Sequence, residues 1–350
     1  MHRVRMVQNN YRCIFRRLLS VHVLVIFFLP VMHGQDIHFS MFNACPLYLN
    51  PAQTGNFYGD WRIAANYRNQ WSALAIPFST AAVSFDKKFY LLHQDFSAGA
   101  VFINDESGSV ALSVNKLYGS LGFRKVINHH VIHAGIQLGY VFKSLNMDKV
   151  TLPSQYNPLT GTFDGQLPGN EVNMGERTSN LDLNAGILWK KKIKILEPEI
   201  GFSFSHLNSP RESFYDDDQR LPVRSTVHAK LKTNLGDEFY LQPAILFMNH
   251  KGSTETIAGF NAGFNVFGKK STVKELSAGI YLRNGFLSNT DALAVMAGAT
   301  ISRIEVAVCY DITISGLKAA TNHNGAFEIS ILYKSISTVL NSYSIPCERF

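Results

Sequence analysis

The stretch VIHAGIQLGYVF, residues 131–142, decides the fold class that this sequence predicts. Its even positions are all apolar: Ile132, Ala134, Ile136, Leu138, Tyr140 and Phe142. The odd positions between them are mostly small or polar, and include His133, Gly135, Gln137 and Gly139. Because successive side chains of a strand point to opposite faces, this period of two indicates a β-strand with one apolar face.

The same alternation recurs from residue 61 onward, for example over 256–267 and 304–312. Many of these runs reach about ten residues, the length that a tilted strand needs to cross a membrane. A soluble sandwich also alternates, but its polar face would be the wet exterior, where small residues have no reason to collect. In a transmembrane barrel, small and polar residues line a crowded lumen while the apolar face contacts lipid.

The pattern therefore predicts an all-β protein, a transmembrane antiparallel β-barrel of outer-membrane type over residues 61–335. The number of candidate strands is about fourteen, an even number as single-chain barrels require. Their ranges are 61–71, 79–90, 96–104, 110–124, 130–143, 178–190, 195–206, 223–234, 238–249, 254–267, 275–283, 291–299, 303–312 and 325–335.

The connections between these strands differ in length in a regular way. The longest, over 146–178, 207–222 and 313–324, all fall on one side of the barrel, whereas tight connections such as 235–237 and 300–302 fall on the other. Outer-membrane barrels place long loops outside the cell and short turns in the periplasm. With both chain ends in the periplasm, the predicted order of strands obeys this rule.

Residues 1–34 have the shape of a secretory signal peptide, with five arginines ahead of the apolar run 18–32. That run is too short to span a bilayer as a helix. The whole chain has 33 Lys and Arg against 26 Asp and Glu, but without the leader the balance is 28 against 26. The basic character therefore belongs mostly to the leader, and we expect no nucleic-acid partner.

Chemically active arrangements are missing from the sequence pattern, so we expect no enzyme, no cofactor and no metal. Ser205 and His206 are adjacent in a predicted strand and should point to opposite faces, which excludes a nucleophile and base pair. The histidines of 129–133 straddle a predicted turn, where a solvated turn is a better explanation than a metal cluster. The acidic run 216–218 lacks the ligand spacing of a calcium loop.

The first strand carries two arginines, Arg62 and Arg68, on the face that would line the lumen. Buried arginines need anionic partners. Asp86, on the inner face of the next strand, is the candidate partner. We interpret these charges as a structural ion network of the lumen, with a substrate site as the alternative.

Several short motifs, in the same order and across nearly the whole mature chain, resemble the PorP/SprF family of type IX secretion system outer-membrane proteins. They are QDIHFS at 35–40, LYLNPAQTG at 47–55, YRNQW at 67–71, SFD at 84–86, LEPEIGFSFSHLNSP at 196–210, YDITISGL at 310–317 and GAFEIS at 325–330. The residues within them that we expect to bind partners or to define the family are Asn50, Pro51, Tyr67, Arg68, Asn69, Gln70, Trp71, Asp86, His206, Asn208, Pro210, Tyr310 and Asp311.

The resemblance implies a non-enzymatic barrel in the outer membrane of a Gram-negative bacterium, inserted among outer-membrane lipid after signal-peptide cleavage. It would help to deliver client proteins that carry type IX C-terminal sorting domains. PorP-like members attach to periplasmic ring lipoproteins and a peptidoglycan-binding protein, whereas SprF-like members serve one large surface adhesin. The alternative is an outer-membrane porin or a channel for hydrophobic solutes; a hydrolase would rest on fold analogy alone.

The resemblance also bears on the two ends of the mature chain. Residues 35–60 contain Pro46 and Pro51, which cannot continue a strand ladder, so we expect an extended segment that lies under or inside the periplasmic mouth as a plug or docking strap. Residues 336–350 would form a periplasmic tail. Cys45 and Cys347 would then both lie at that mouth, and we predict a disulfide between them.

Overall fold

The computed structural model describes residues 36–72, 77–107, 112–146, 155–158, 160–164, 175–215, 217–266, 271–285, 290–316 and 318–338. Within these ranges the chain is almost entirely strand. The strands are β1 (Trp61–Gln70), β2 (Phe78–Leu91), β3 (Gln94–Ser107), β4 (Leu112–Ile127), β5 (His130–Leu145), β6 (Tyr156–Asn157), β7 (Thr162–Phe163), β8 (Arg177–Lys191), β9 (Leu196–Ser205), β10 (Arg224–Leu235), β11 (Phe239–His250), β12 (Ser253–Asn265), β13 (Val273–Asn284), β14 (Thr290–Ile301), β15 (Ile304–Thr313) and β16 (Asn324–Lys334).

All of these strands except β6 and β7 form one closed antiparallel barrel. β1 closes the barrel by pairing with β16, from Arg62 opposite Lys334 to Gln70 opposite Ala326. β6 and β7 form a separate small hairpin between β5 and β8. The predicted class, a barrel of fourteen antiparallel strands, is confirmed.

The two faces of the barrel wall follow the alternation of the sequence. On β5, Ile136, Leu138 and Tyr140 are each more than half exposed on the outside, whereas His133 and Gln137 are buried on the inside. An apolar outer face of this kind is suited to contact with acyl chains. Among the described residues, no helix combines the length and the apolar character needed to cross a membrane.

The two ends of the barrel differ in their connections. We call one end the turn end, because it carries the tight connections 92–93, 128–129 and 302–303. The opposite loop end carries the connections 146–176, 206–223 and 314–323, which include the short helix α2 (Lys318–Thr321). The predicted long connections therefore lie at one end, and both the start of β1 and the end of β16 lie at the other.

Residues 37–56, which we call the plug, lie inside the barrel rather than in its wall. They form a 3₁₀ turn over Phe42–Ala44, a short helix α1 (Pro46–Leu49) and a second 3₁₀ turn over Pro51–Gln53. The expected extended conformation is therefore wrong. Pro46 and Pro51 each occupy the first position of a helical turn, where the fixed φ of proline suits the turn and no backbone N–H is lost.

Candidate functional site: a plugged lumen

The plug is buried along most of its length by the barrel that surrounds it. Ser40, Leu47, Asn50 and Ala52 have no exposed surface. Side chains of the wall donate hydrogen bonds to plug carbonyls on several strands: Gln137 Nε2 to Leu47 O (3.2 Å), Ser203 Oγ to Leu49 O (3.1 Å) and Ser97 Oγ to Thr54 O (2.8 Å). Buried backbone groups need hydrogen-bond partners, and the wall supplies them for these plug carbonyls.

The first anchor of the plug lies near the loop end, at Ser40. The backbone N–H groups of Ser40 and Met41 donate to the two carboxylate oxygens of Glu328, at 2.7 and 2.9 Å. The Ser40 hydroxyl donates to Asp311 Oδ2 at 2.7 Å. Two acidic side chains from neighbouring strands therefore hold the start of the plug.

Two arginines neutralise these carboxylates. Arg68 contacts Glu328 and Asp311, the latter at 3.1 Å, and Arg283 contacts Asp311 at 2.8 Å. All four side chains are at most 5% exposed. Removing one member of such a buried pair typically costs about 3–5 kcal/mol, because a charge is left without compensation.

The second anchor lies near the turn end, where Arg62 and Asp86 form a bidentate pair with both distances at 2.9 Å. Asp86 Oδ2 also accepts a hydrogen bond from the Gly55 backbone N–H at 2.8 Å, and Arg62 donates to Gln53 O at 3.0 Å. Asp86 is thus the partner of Arg62, as expected. It is not the partner of Arg68, whose carboxylates come from β15 and β16.

Asn50 ties the middle of the plug to the wall. Its side-chain N–H₂ donates to the carbonyls of Ile187 (3.3 Å) and Phe202 (3.2 Å), while its Oδ1 accepts from Ala52 N (2.8 Å). This approach requires glycine in the wall. A Cβ at Gly186 would collide with the Asn50 side chain, and one at Gly135 would collide with the Pro51 carbonyl. Small residues on the inner face therefore make room for the plug.

The remaining motif residues of the first strand and of β15 are divided between the two faces of the wall. Gln70 accepts a hydrogen bond from Arg68 at 3.1 Å and so joins the loop-end anchor. Tyr67 and Tyr310 lie on the outer face, 41% and 43% exposed. Asn69 donates to the Tyr67 hydroxyl at 3.5 Å, and Trp71 ends the strand with its N–H on Gly325 O at 2.7 Å. A partner-binding role for these residues stays a prediction.

His206, Asn208 and Pro210 fasten the loop that follows β9. His206 Nδ1 lies 2.9 Å from Asp182 Oδ1. Asn208 Oδ1 accepts from Leu183 N at 3.0 Å, and its Nδ2 donates to Leu181 O at 2.7 Å. The Asn208 side chain therefore hydrogen-bonds to the β8 backbone beyond the end of β9, where β8 no longer has β9 as its partner. Pro210 O accepts from Leu221 N at 2.9 Å. The motif thus closes the wall at the loop end.

The expected opposite orientation of Ser205 and His206 is wrong, because both side chains are buried. β9 ends at Ser205, and His206 has a φ of 61°, so the strand alternation no longer applies. Their partners nevertheless differ: Ser205 Oγ accepts from Arg224 Nη2 at 3.1 Å, while His206 contacts Asp182.

Glu328, Arg283 and Ser40 are central to the site, yet the sequence did not single them out. Ser40 lies 288 residues from Glu328 and 243 residues from Arg283 along the chain, so no local pattern links them. The motifs QDIHFS and GAFEIS contain Ser40 and Glu328, but neither motif indicated that these two residues are partners. Among the described residues no group of three or more His, Cys, Asp and Glu could hold a metal ion; Asp216 lies outside them.

Cys45 lies in the plug and is 2% exposed. It packs in an apolar cluster with Leu47, Ile103 and Val141, which belongs to the loop-end half of the barrel rather than to the turn end. Burial in this apolar cluster raises the pKa of the Cys45 thiol to about 12. Cys347 lies outside the described residues, and the disulfide stays a prediction.

We expect Cys45 to resist alkylation in the folded protein, because thiolate is the reactive form and the side chain is enclosed. Maleimide labelling at pH 8 followed by peptide mapping measures this. In denaturant without reductant, the Cys45 peptide should become labelled if the thiol is free and stay unlabelled if it is bonded to Cys347. Rapid labelling of the folded protein would contradict the buried position of Cys45.

A closed antiparallel barrel with an apolar outside and a polar, occupied lumen defines a class: transmembrane β-barrels of outer-membrane type. The chain belongs to the PorP/SprF family of type IX secretion system membrane proteins, whose family profile matches residues 31–333. No curated protein matched the sequence significantly.

Solved structures with a similar fold include membrane channels. The CymD monoaromatic hydrocarbon channel is 11% identical, with 87% of this chain and 95% of that chain covered and a TM-score of 0.51. The toluene transporter TodX of Pseudomonas putida is 10% identical, with 85% and 97% covered and a TM-score of 0.51. At this level of identity the likeness concerns the fold alone.

Proposed function

We propose that this protein is a non-enzymatic outer-membrane component of the type IX secretion system whose lumen is closed and which acts through protein contacts. After removal of residues 1–34, the loop end would face the cell surface and the turn end the periplasm. The loops would meet client proteins with C-terminal sorting domains. The turn end and residues 336–350 would meet periplasmic ring lipoproteins and the peptidoglycan-binding protein.

The observation that carries this proposal is the occupied lumen. The plug is held at its two ends by buried ion pairs and in its middle by Asn50. A segment held by charge-assisted hydrogen bonds at both ends is not a loose gate. We infer that the barrel serves as a fixed platform in the membrane rather than as a route for solutes.

A hydrocarbon channel is the second candidate, since proteins of similar fold are such channels. A cavity of about 30 Å³ lies between the plug and the wall, beside Phe39, Phe42, Leu246 and Met248. A cavity that binds benzene measures roughly 150 Å³, several times as much. This cavity is therefore too small for an aromatic solute.

Conductance and export together test the proposal. The purified protein in planar bilayers should show no steady current, because the plug blocks the lumen. Deletion of the gene should leave clients with sorting domains in the periplasm, and re-expression of the intact protein should return them to the surface. Steady currents from the intact barrel, or normal surface display without it, would contradict the proposal.

A further inference from the structure

The turn end of the barrel carries its charge unevenly. Three adjacent connections, within 87–95, 124–133 and 190–197, contain eight basic and two acidic residues. We call the basic set the basic half-rim; it comprises Lys87, Lys88, Arg124, Lys125, Lys190, Lys191, Lys192 and Lys194. The three connections on the opposite side, within 232–241, 265–275 and 300–305, contain five basic and four acidic residues.

Few of these cations are neutralised within the described part of the chain. Arg124 pairs with Asp95 at 2.5 Å and Lys192 pairs with Glu197 at 2.9 Å. The other six have no carboxylate within ion-pair distance among the described residues, and several bind neutral groups instead. Lys125 donates to Gln94 Oε1 at 2.8 Å, and Lys191 Nζ lies 3.1 Å from His130 Nε2.

Some of these cations face the lumen mouth and not the lipid. Lys88 donates to the carbonyl of Phe57 and Lys190 to the side chain of Asn56, two neighbouring residues where the plug leaves the lumen. Arg124 is the register partner of His133, which is buried on the inner face. The positive charge therefore lies at the mouth of the lumen at the turn end, as well as around the rim.

Lipid headgroups alone do not account for this distribution. A barrel meets the same leaflet all around its circumference, so headgroup contacts would favour basic residues on both halves of the rim. The excess lies on one half only, and part of it points into the mouth. Charge complementarity across an interface fixes register and speeds association, and a one-sided field of this kind suits a partner that docks from one side.

We propose that the basic half-rim is the docking surface for an acidic segment of a periplasmic protein. The proposal rests on the proposed function for the compartment that the turn end faces. The segment would lie across the connections β2–β3, β4–β5 and β8–β9, with its carboxylates on the six cations that lack an acidic partner. Lys87, Lys125 and Lys194 are exposed, so their contacts would weaken as salt rises.

A peptide of ten glutamates labelled with fluorescein is a direct probe, and fluorescence anisotropy with the purified full-length protein measures its binding. The triple variant Lys87→Gln, Lys125→Gln, Lys194→Gln removes three of the unpaired charges from the basic half-rim. The matched variant Lys232→Gln, Lys274→Gln, Arg303→Gln removes three from the opposite half. We expect the first to weaken binding about tenfold at low salt and the second less than about twofold.

Three results would overturn the proposal: no binding of the peptide by the unaltered protein, equal weakening by both variants, or binding that is insensitive to salt. A lipid role has its own readout, the melting temperature in nanodiscs with and without phosphatidylglycerol. If the first variant abolishes a phosphatidylglycerol-dependent rise and leaves peptide binding unchanged, the half-rim is a lipid contact. Because peptide binding is measured without secretion, its failure and a failure of client export are separate results.

Discussion

Gly135→Val should turn a silent barrel into a conducting one. A Cβ at this position would meet the backbone carbonyl of Pro51, and backbone cannot move aside as a flexible side chain can. The plug must therefore shift or leave the lumen, whereas the barrel wall keeps its ladder. Planar-bilayer recordings should show steady currents for Gly135→Val where the unaltered protein shows none.

Gly119→Val is the matched control, since Gly119 lies on the outer face of β4 and a Cβ added there would come no closer than 4.0 Å to another strand, at Leu138 O. This variant should remain silent. Heat-modifiable mobility on gels checks that both barrels are folded. If folded Gly135→Val is as silent as Gly119→Val, the plug does not depend on the close approach of Pro51 to the wall.

Glu328→Leu should lower the free energy of unfolding by about 3–5 kcal/mol, the usual result of removing one partner from a buried ion pair. The substitution leaves the charge of Arg68 less compensated and takes away the acceptor of the Ser40 and Met41 N–H groups. Denaturant unfolding in detergent or lipid measures the change.

Glu305→Leu serves as its control, because Glu305 and its partner Lys334 are 41% and 32% exposed. Exposed pairs contribute roughly 0–1 kcal/mol, so this substitution should change stability by less than about 1 kcal/mol. An equal decrease in the free energy of unfolding for the two variants would show that the loop-end anchor contributes no more to stability than an exposed ion pair.

Much of the wall could be predicted because it is determined by local pattern. The alternation over 131–142 specifies both the strand and its faces, since the side-chain period of a strand is two. Arg62 and Asp86 could be paired in advance because they lie opposite each other in the hairpin of β1 and β2. The loop after β9 was misjudged at His206, where the strand ends and its period ends with it.

The partners of Arg68 illustrate what local pattern leaves out. Asp311 and Glu328 lie 243 and 260 residues further along the chain, and they meet Arg68 only because β1 closes the barrel against β16. Local pattern also leaves the path of the plug undetermined. Pro46 and Pro51 exclude a ladder, yet extended chain and helical turns both remain open to such a segment until something surrounds it.

The sequence by itself determined a membrane barrel, its strand number, the direction of its faces and the end that carries its long loops. These follow from periodicity and connection length, which are properties of neighbours in the chain. The tertiary structure alone decided that the N-terminal segment folds back into the lumen and is anchored there. Closure brings carboxylates, arginines and glycines from distant strands around one space, and the buried polar groups of the segment find their partners only inside it.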